Sequence, residues 1–233
     1  MDSQERERTA AALERYRPPY DLTADMLVVV ALCPTAPLRQ TFPRVPFLAV
    51  RGKTPLVLWF SRITEVCYCD AAGERRCEGG AETALYNELN IIALLRQRAL
   101  FVPGIYATGE RTIRIGHHYG MPKQLTSMHV QVHGTHFEAT MMDGACESFV
   151  RARLLGSGRG VAQIVSRFWP RQLWPARFPA RTQVRTVIQA TPHVHLAYVQ
   201  AGQLSLDALW LPEAVSLLPV GLYLTRLCMR LPP

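Results

Sequence analysis

Lysine is nearly absent from this sequence. The 233 residues include two, Lys53 and Lys123, against 24 arginines, with a formal net charge of +8. At a surface position arginine replaces lysine at little cost, so a lysine that persists here is a candidate for work that guanidinium cannot do. Forming an imine with a carbonyl is such work, because guanidinium stays protonated and is a poor nucleophile. Long apolar runs are missing too: Met26 to Cys33 and Ala214 to Leu224 are the longest, short of the ~18 residues a membrane span needs. The N-terminus alternates charges and opens no apolar leader segment, so the expectation is a cytoplasmic protein with no membrane partner. Cysteine is sparse, at positions 33, 67, 69, 77, 146 and 228, without the dense spacing of a secreted framework. Cys67-Tyr68-Cys69 with Cys77 forms a cluster that lacks a fourth ligand and knuckle spacing, so free thiols and no metal are expected. No phosphate-binding glycine loop, nucleophile elbow or nucleotide fingerprint occurs, and no cofactor is expected.

What is present argues for a folded domain. Hydrophobic residues make up 48% and charged residues 19% of the chain, outside the range of disordered segments. The expected organisation is a short helix or arm over residues 1–19 and one domain over 20–233. Positive charge gathers between Ser148 and Leu206, which hold eight Arg and no Asp or Glu. Clustered arginine can attract phosphate. Here it is interrupted by Phe168-Trp169-Pro170, Trp174-Pro175 and Phe178-Pro179 without a nucleic-acid motif. A solvated basic face is the better reading, one that meets an anionic substrate, a carrier protein or a neighbouring subunit.

Residues 1 to 15 read as a helix ended by Arg17-Pro18-Pro19. Thereafter β patterns dominate: Leu27 to Leu32, Phe47 to Val50, Leu56 to Phe60, Ala84 to Leu95, Arg111 to Ile115, Val184 to Ile188, His193 to Val199 and Gln203 to Leu209. Met128 to Val132 and His136 to Met142 read as a hairpin turning at Gly134-Thr135. Val161 to Trp169 and Ala214 to Arg230 read as helices. The fold class is therefore α+β, mostly antiparallel β with few helices. His129 and His133 share a strand face near His136, and His193 and His195 share another. Three imidazoles could bind zinc, but polar surface histidines explain them as well.

Lys123 lies in Ile115-Gly-His-His-Tyr-Gly-Met-Pro-Lys-Gln-Leu125, where Pro122 fixes the backbone and Met121 and Leu125 form an apolar collar. Desolvation there would disfavour the ammonium. Activation matters, because fewer than about one ordinary lysine in a thousand is neutral at pH 7. The alternative is a packed stem whose ammonium reaches water. His118, beside the lysine, is an acid–base or substrate-orienting candidate.

The segment Tyr119-Gly-Met-Pro-Lys-Gln-Leu125 resembles the lysine motif of the acetoacetate decarboxylase family, and Leu85-Tyr-Asn-Glu-Leu-Asn-Ile91 resembles the family segment that holds an active-site glutamate, here Glu88. The resemblance implies a cone- or barrel-like sheet, a homo-oligomer, and a Schiff-base lysine at Lys123. In that chemistry the amine condenses with a ketone, and the iminium accepts electrons as a C–C bond breaks. Desolvation or a cationic neighbour is how the family's lysine is known to be activated.

The chain departs from the family pattern. Gln124 stands where a second lysine is found, Leu22 to Met26 contain no arginine, a second glutamate would fall at the apolar Trp59-Phe60, and Gly116-His117-His118 replaces a Gly-Arg-Glu. Acetoacetate is therefore not the expected substrate. A larger, more apolar keto or β-keto acid, free or carried on a protein, is expected instead, with a tailoring step in specialised, polyketide-type metabolism. Lys123 and Glu88 are the catalytic candidates; His118, Tyr119, Gln124, Trp59 and Phe60 are the substrate-binding ones. Glu88 reads equally as a structural acceptor or the partner of an arginine. A non-covalent cyclase or isomerase, and a non-catalytic binding module, are the alternatives on the same fold.

Overall fold

The structure is a computed structural model that describes residues 16–80, 84–96, 99–156, 176–179, 183–184, 187–190, 193–206, 211 and 213–231. Its strands are β1 (Arg17–Pro34), β2 (Lys53–Cys69), β3 (Arg75–Gly79), β4 (Tyr86–Leu94), β5 (Leu100–Ala107), β6 (Lys123–Leu125), β7 (Ser127–His133), β8 (His136–Asp143), β9 (Cys146–Leu154), β10 (Ala176–Arg177), β11 (Gln183–Val184), β12 (Val187–Ala190), β13 (His193–Leu204) and β14 (Val215–Leu231). Two helices, α1 (Thr35–Thr41) and α2 (Glu110–His118), complete the described elements.

The strands form one sheet in the order β11-β10-β5-β4-β2-β1-β14-β13-β9-β8-β7. Pairing is antiparallel except where β5 meets β6 and β10. The sheet curls until β7, at one end, comes back against β4 and β5. Phe101 and Tyr106 of β5 share one buried cluster with Met128 and Val130 of β7. The Asn87 side-chain amide also donates to the Met128 carbonyl at 3.3 Å, and the Thr126 N–H to that of Ala107 at 3.0 Å. The α+β, mostly antiparallel, barrel-like architecture expected from the sequence is what the chain adopts.

Alternation decides which side chains fill the barrel. Leu89, Ile91 and Ala93 of β4 enter the main core with Leu56, Leu58 and Phe60 of β2. Because side chains alternate across a strand, Tyr86, Glu88, Asn90 and Ile92 point to the opposite face. There α2 and smaller clusters built around Ile105, Met121 and Tyr20 cover the sheet.

Several sequence expectations are corrected. Arg111 to Ile115 belongs to α2, not to a strand. Its alternation is incidental: Thr112, Ile115, Gly116 and Tyr119 fall at i, i+3, i+4 and i+7, the spacing of one helical face. Ala214 to Arg230 is not a helix; Val215–Leu231 is a strand between β1 and β13. Pro219 is tolerated there because Leu217–Gly221 on the β1 side and Ser216–Val220 on the β13 side flank register shifts that leave Pro219 unpaired in both ladders. Phe47 and Val50 make only isolated bridges, and Pro55 lies inside β2. Cys67 and Cys77 are not free thiols but a disulfide across β2 and β3, while Cys33, Cys69, Cys146 and Cys228 are free. Cysteine content therefore no longer argues for a reducing compartment.

The expected helices over residues 1–15 and Val161 to Trp169 lie outside the described residues, as do 185–186 and 207–209 of two expected strands. The sheet begins at Arg17, within the expected N-terminal arm. No described helix is long and apolar enough to cross a membrane.

Candidate active site

Lys123 reaches its position through the way α2 ends. Gly120 takes up a left-handed conformation, φ +67°, which glycine adopts without steric penalty. The Gly120 N–H donates to the His117 carbonyl and the Met121 N–H to the Gly116 carbonyl, both at 2.9 Å, the paired bonds of a Schellman cap. Pro122, which cannot prolong a helix, follows the cap. Its carbonyl accepts from the Ile105 N–H at 3.0 Å, seating Lys123 beside Ile105 at the start of β6. The Lys123 carbonyl is bonded by His117 Nε2 at 2.9 Å. Aromatic, glycine, apolar residue, proline and lysine thus make up a helix stop that delivers a lysine to the edge of β5.

The lysine stem lies against α2 where it has no side chain: a β-carbon at Gly116 would be 2.4 Å from Lys123 Cδ. Nζ is buried and donates to Glu88 Oε2 at 2.5 Å and to Thr112 Oγ1 at 2.8 Å. Asn90, two residues along the same face of β4, donates to Glu88 Oε1 at 2.9 Å. Each carboxylate oxygen therefore has a donor, and the ammonium has two acceptors. A buried pair is tolerable only with such compensation. The Tyr86 ring centroid lies 5.9 Å from Nζ, within cation–π reach. Burial first, and the Glu88 charge second, push the Tyr86 phenol well above its ordinary range, while the Thr112 hydroxyl bonds it in the opposing sense. Tyr86 is therefore a neutral hydroxyl beside the pair.

Lys123 borders a cavity of about 240 Å³ walled by Thr112, Ile115, Gly116 and Tyr119 of the α2 segment, Tyr20 and Leu22 of β1, and Val66 of β2. This is at or below the small end of ligand pockets, which run from ~300 to 1,000 Å³. Burial raises the Tyr119 phenol to about 12 and pushes Tyr20 up as well, with Tyr119 adding to the effect. Their rings meet edge to face at 6.1 Å. An amine and neutral hydroxyls against one small, largely apolar space, with the Glu88 carboxylate bonded to the amine, can bind a carbonyl compound and move protons around it. Glu65, Cys67 and Cys77 bring three potential metal-ligand atoms together, but the disulfide occupies both sulfurs.

The sequence candidates separate. Lys123, Glu88 and Tyr119 come together. Phe60 does not join them: it pairs with Leu89 on the core face and is fully buried there. Trp59, one residue earlier, lies on the same sheet face as Glu88, opposite Asn90, and packs with Ile92 and Met26 rather than around the cavity. Gln124 is exposed, and so is Leu125, which leaves Met121 alone of the expected collar. His118 is the last residue of α2, and its side chain lies outside the described residues. Thr112, Tyr86, Asn90 and Gly116 were not anticipated. The helical spacing of Thr112 and Gly116, and the alternation of Tyr86, Glu88 and Asn90, are the signals that would have found them.

No protein-family model and no curated protein sequence matches the chain. Solved structures do. An acetoacetate decarboxylase-like enzyme from Sphingomonas wittichii RW1 is 15% identical with a TM-score of 0.55, the match covering 92% of this chain and 91% of that one. An acetoacetate decarboxylase is 15% identical with a TM-score of 0.53 over 100% and 96% of the two chains. The enduracididine biosynthesis enzyme MppR, solved with the condensation product of pyruvate and imidazole 4-carboxaldehyde, is 13% identical with a TM-score of 0.53 over 92% and 87%.

Proposed function

We propose that this chain, which has the acetoacetate decarboxylase-like fold, is an enzyme that uses Lys123 as an imine-forming nucleophile on a small keto acid. The observation that carries the reading is the Lys123–Glu88 contact, 2.5 Å between Nζ and Oε2, made by a lysine that lines an aromatic-walled cavity. Lysine must be neutral to attack. Proton transfer from Nζ to Oε2 needs no movement of either residue and removes two opposite charges from a site poor in water.

The amine then adds to the carbonyl carbon. Loss of water, with Glu88 returning the proton to the departing hydroxyl, leaves a protonated imine. That cation withdraws the electron pair of a neighbouring C–C bond as carbon dioxide or another fragment leaves, and an enamine results. Protonation of the enamine and hydrolysis free the lysine. An aldol or dehydration step uses the same enamine, and a pyruvate condensation product is the ligand of one MppR structure. The fold family's second lysine is replaced by the exposed Gln124. The reading therefore relies on burial and on proton transfer to Glu88 to prepare the amine. The cavity volume favours a short substrate over the larger apolar one expected from sequence.

A second reading has one observation in its favour: both Nζ contacts are those of a donating ammonium. A non-covalent isomerase or cyclase would use Lys123 only as a donor. Lys123→Arg distinguishes the two, since it keeps charge and donors but cannot form an imine. The imine reading expects turnover to disappear with the fold intact, and turnover that survives overturns it.

A further inference from the structure

The cavity wall holds a second cation that the imine chemistry leaves unused. Arg111 lies in the first turn of α2, next to Thr112, and lines the same cavity as Lys123. Its guanidinium is held in place. Nη1 meets Glu78 Oε2 at 2.6 Å, and Cζ stands 4.5 Å from the Tyr16 ring centroid. Glu78 is itself anchored, because its Oε1 accepts the Tyr68 hydroxyl at 2.7 Å. It also follows Cys77, whose disulfide to Cys67 fastens β3 to β2. An arginine on such a footing is positioned, unlike a free surface side chain, yet 34% of its side chain remains exposed.

The surrounding charges point the same way. Lys123 is already answered by Glu88. Glu110, also on the cavity, turns outward with 72% of its side chain exposed and meets Arg114 Nη2 at 3.3 Å. Glu78 engages one nitrogen, and the Tyr16 side chain takes a further hydrogen bond, of a planar group that carries five N–H donors. A fixed guanidinium with donors to spare is matched by a carboxylate, which accepts from it in a fork.

We propose that Arg111 binds the carboxylate of the substrate while the carbonyl carbon faces Lys123, so that the enzyme selects short-chain keto acids over neutral ketones. The substrate assignment rests on the imine reading; the anion site does not. It is therefore tested with ligands that cannot form an imine. The full chain is titrated calorimetrically with butyrate and with butyramide, in the wild type, Arg111→Gln and Arg111→Lys. The wild type is expected to favour butyrate by at least about tenfold, from a charge-assisted contact that the amide lacks. Arg111→Gln erases that preference, and Arg111→Lys keeps part of it. Arg111→Lys retains the partner of Glu78, so a failure of Arg111→Gln to fold leaves the test standing on a reduced preference in the lysine variant.

Equal binding of the two ligands by the wild type overturns the proposal. So does a preference that survives Arg111→Gln. A borohydride adduct on Lys123 together with a preference indifferent to Arg111 defeats this inference alone. A preference that depends on Arg111 in a protein with no adduct and no loss in Lys123→Arg defeats the imine reading alone.

Discussion

The Lys123 stem passes over the backbone of Gly116 so closely that a β-carbon there would stand 2.4 Å from Cδ, 2.7 Å from Cγ and 2.9 Å from Cε. All three atoms belong to a flexible side chain, so a methyl group displaces the lysine before it displaces the helix. Gly116→Ala is therefore expected to fold, with the helix itself favoured by ~1 kcal/mol, while Nζ is pushed off Glu88 and Thr112. Misplacement by about 1 Å can cost ~10²-fold in rate. Melting temperature and turnover measured on the same preparation check this; a normal rate in a normally folded Gly116→Ala would show that the stem's position is unimportant.

Glu88 and Lys123 form a pair with 11% and 8% of their side chains exposed. Removing one partner strands a buried charge, at a cost of about 3–5 kcal/mol. Glu88→Gln and Lys123→Met should each destabilise on that scale, whereas the double variant should lose much less than their sum. Urea denaturation of the four proteins measures the coupling. Simple additivity would mean that the two charges do not meet in solution. Glu88→Gln should also lower turnover by ~10²–10⁴-fold, the usual contribution of a positioned proton-transfer group.

Much of this could be seen in the sequence, and the exceptions have physical causes. The hairpin of β7 and β8 is legible because polar and apolar residues alternate on either side of Gly134. The lysine motif is legible through its likeness to a family segment, whereas the helix stop that its glycine and proline form is hidden in a stretch that reads as a strand. Four features defeated pattern reading. Arg111-Thr-Ile-Arg-Ile115 alternates by chance within a helix, which hid Thr112, the second acceptor for Nζ. β14 is a central strand, apolar on both faces, and gives no period-2 signal. Phe60 and Trp59 could not be assigned to faces without the register, since a shift of one residue exchanges them. The Cys67–Cys77 link likewise depends on knowing that β2 and β3 pair at those two positions.

Asp21 ties three strands together. It bonds Arg230 of β14 at 2.7 and 2.9 Å and Arg75 of β3 at 2.8 Å. The Arg230 hydrogen bonds, helped by the charges of Arg230 and Arg75 and opposed by burial, hold its carboxyl below the usual range. A carboxyl lowered on folding contributes stability that is present above its unfolded value, ~3.9, and is lost as pH falls through the folded value. Asp21→Asn should therefore lower the melting temperature at neutral pH, and its difference from the wild type should shrink below about pH 4. Parallel melting curves from pH 7 to 2 would contradict this.

The central claim is that Lys123 forms an imine, and borohydride trapping tests it most directly. The protein is incubated with pyruvate, acetoacetate and longer keto acids, each with and without borohydride, and read by intact mass and peptide mapping. The account predicts a single reduced adduct on Lys123, absent from Lys53, from Lys123→Arg and from protein that has not been reduced. A keto acid that is turned over without leaving an adduct on Lys123, or an adduct that forms on Lys53 instead, would contradict it.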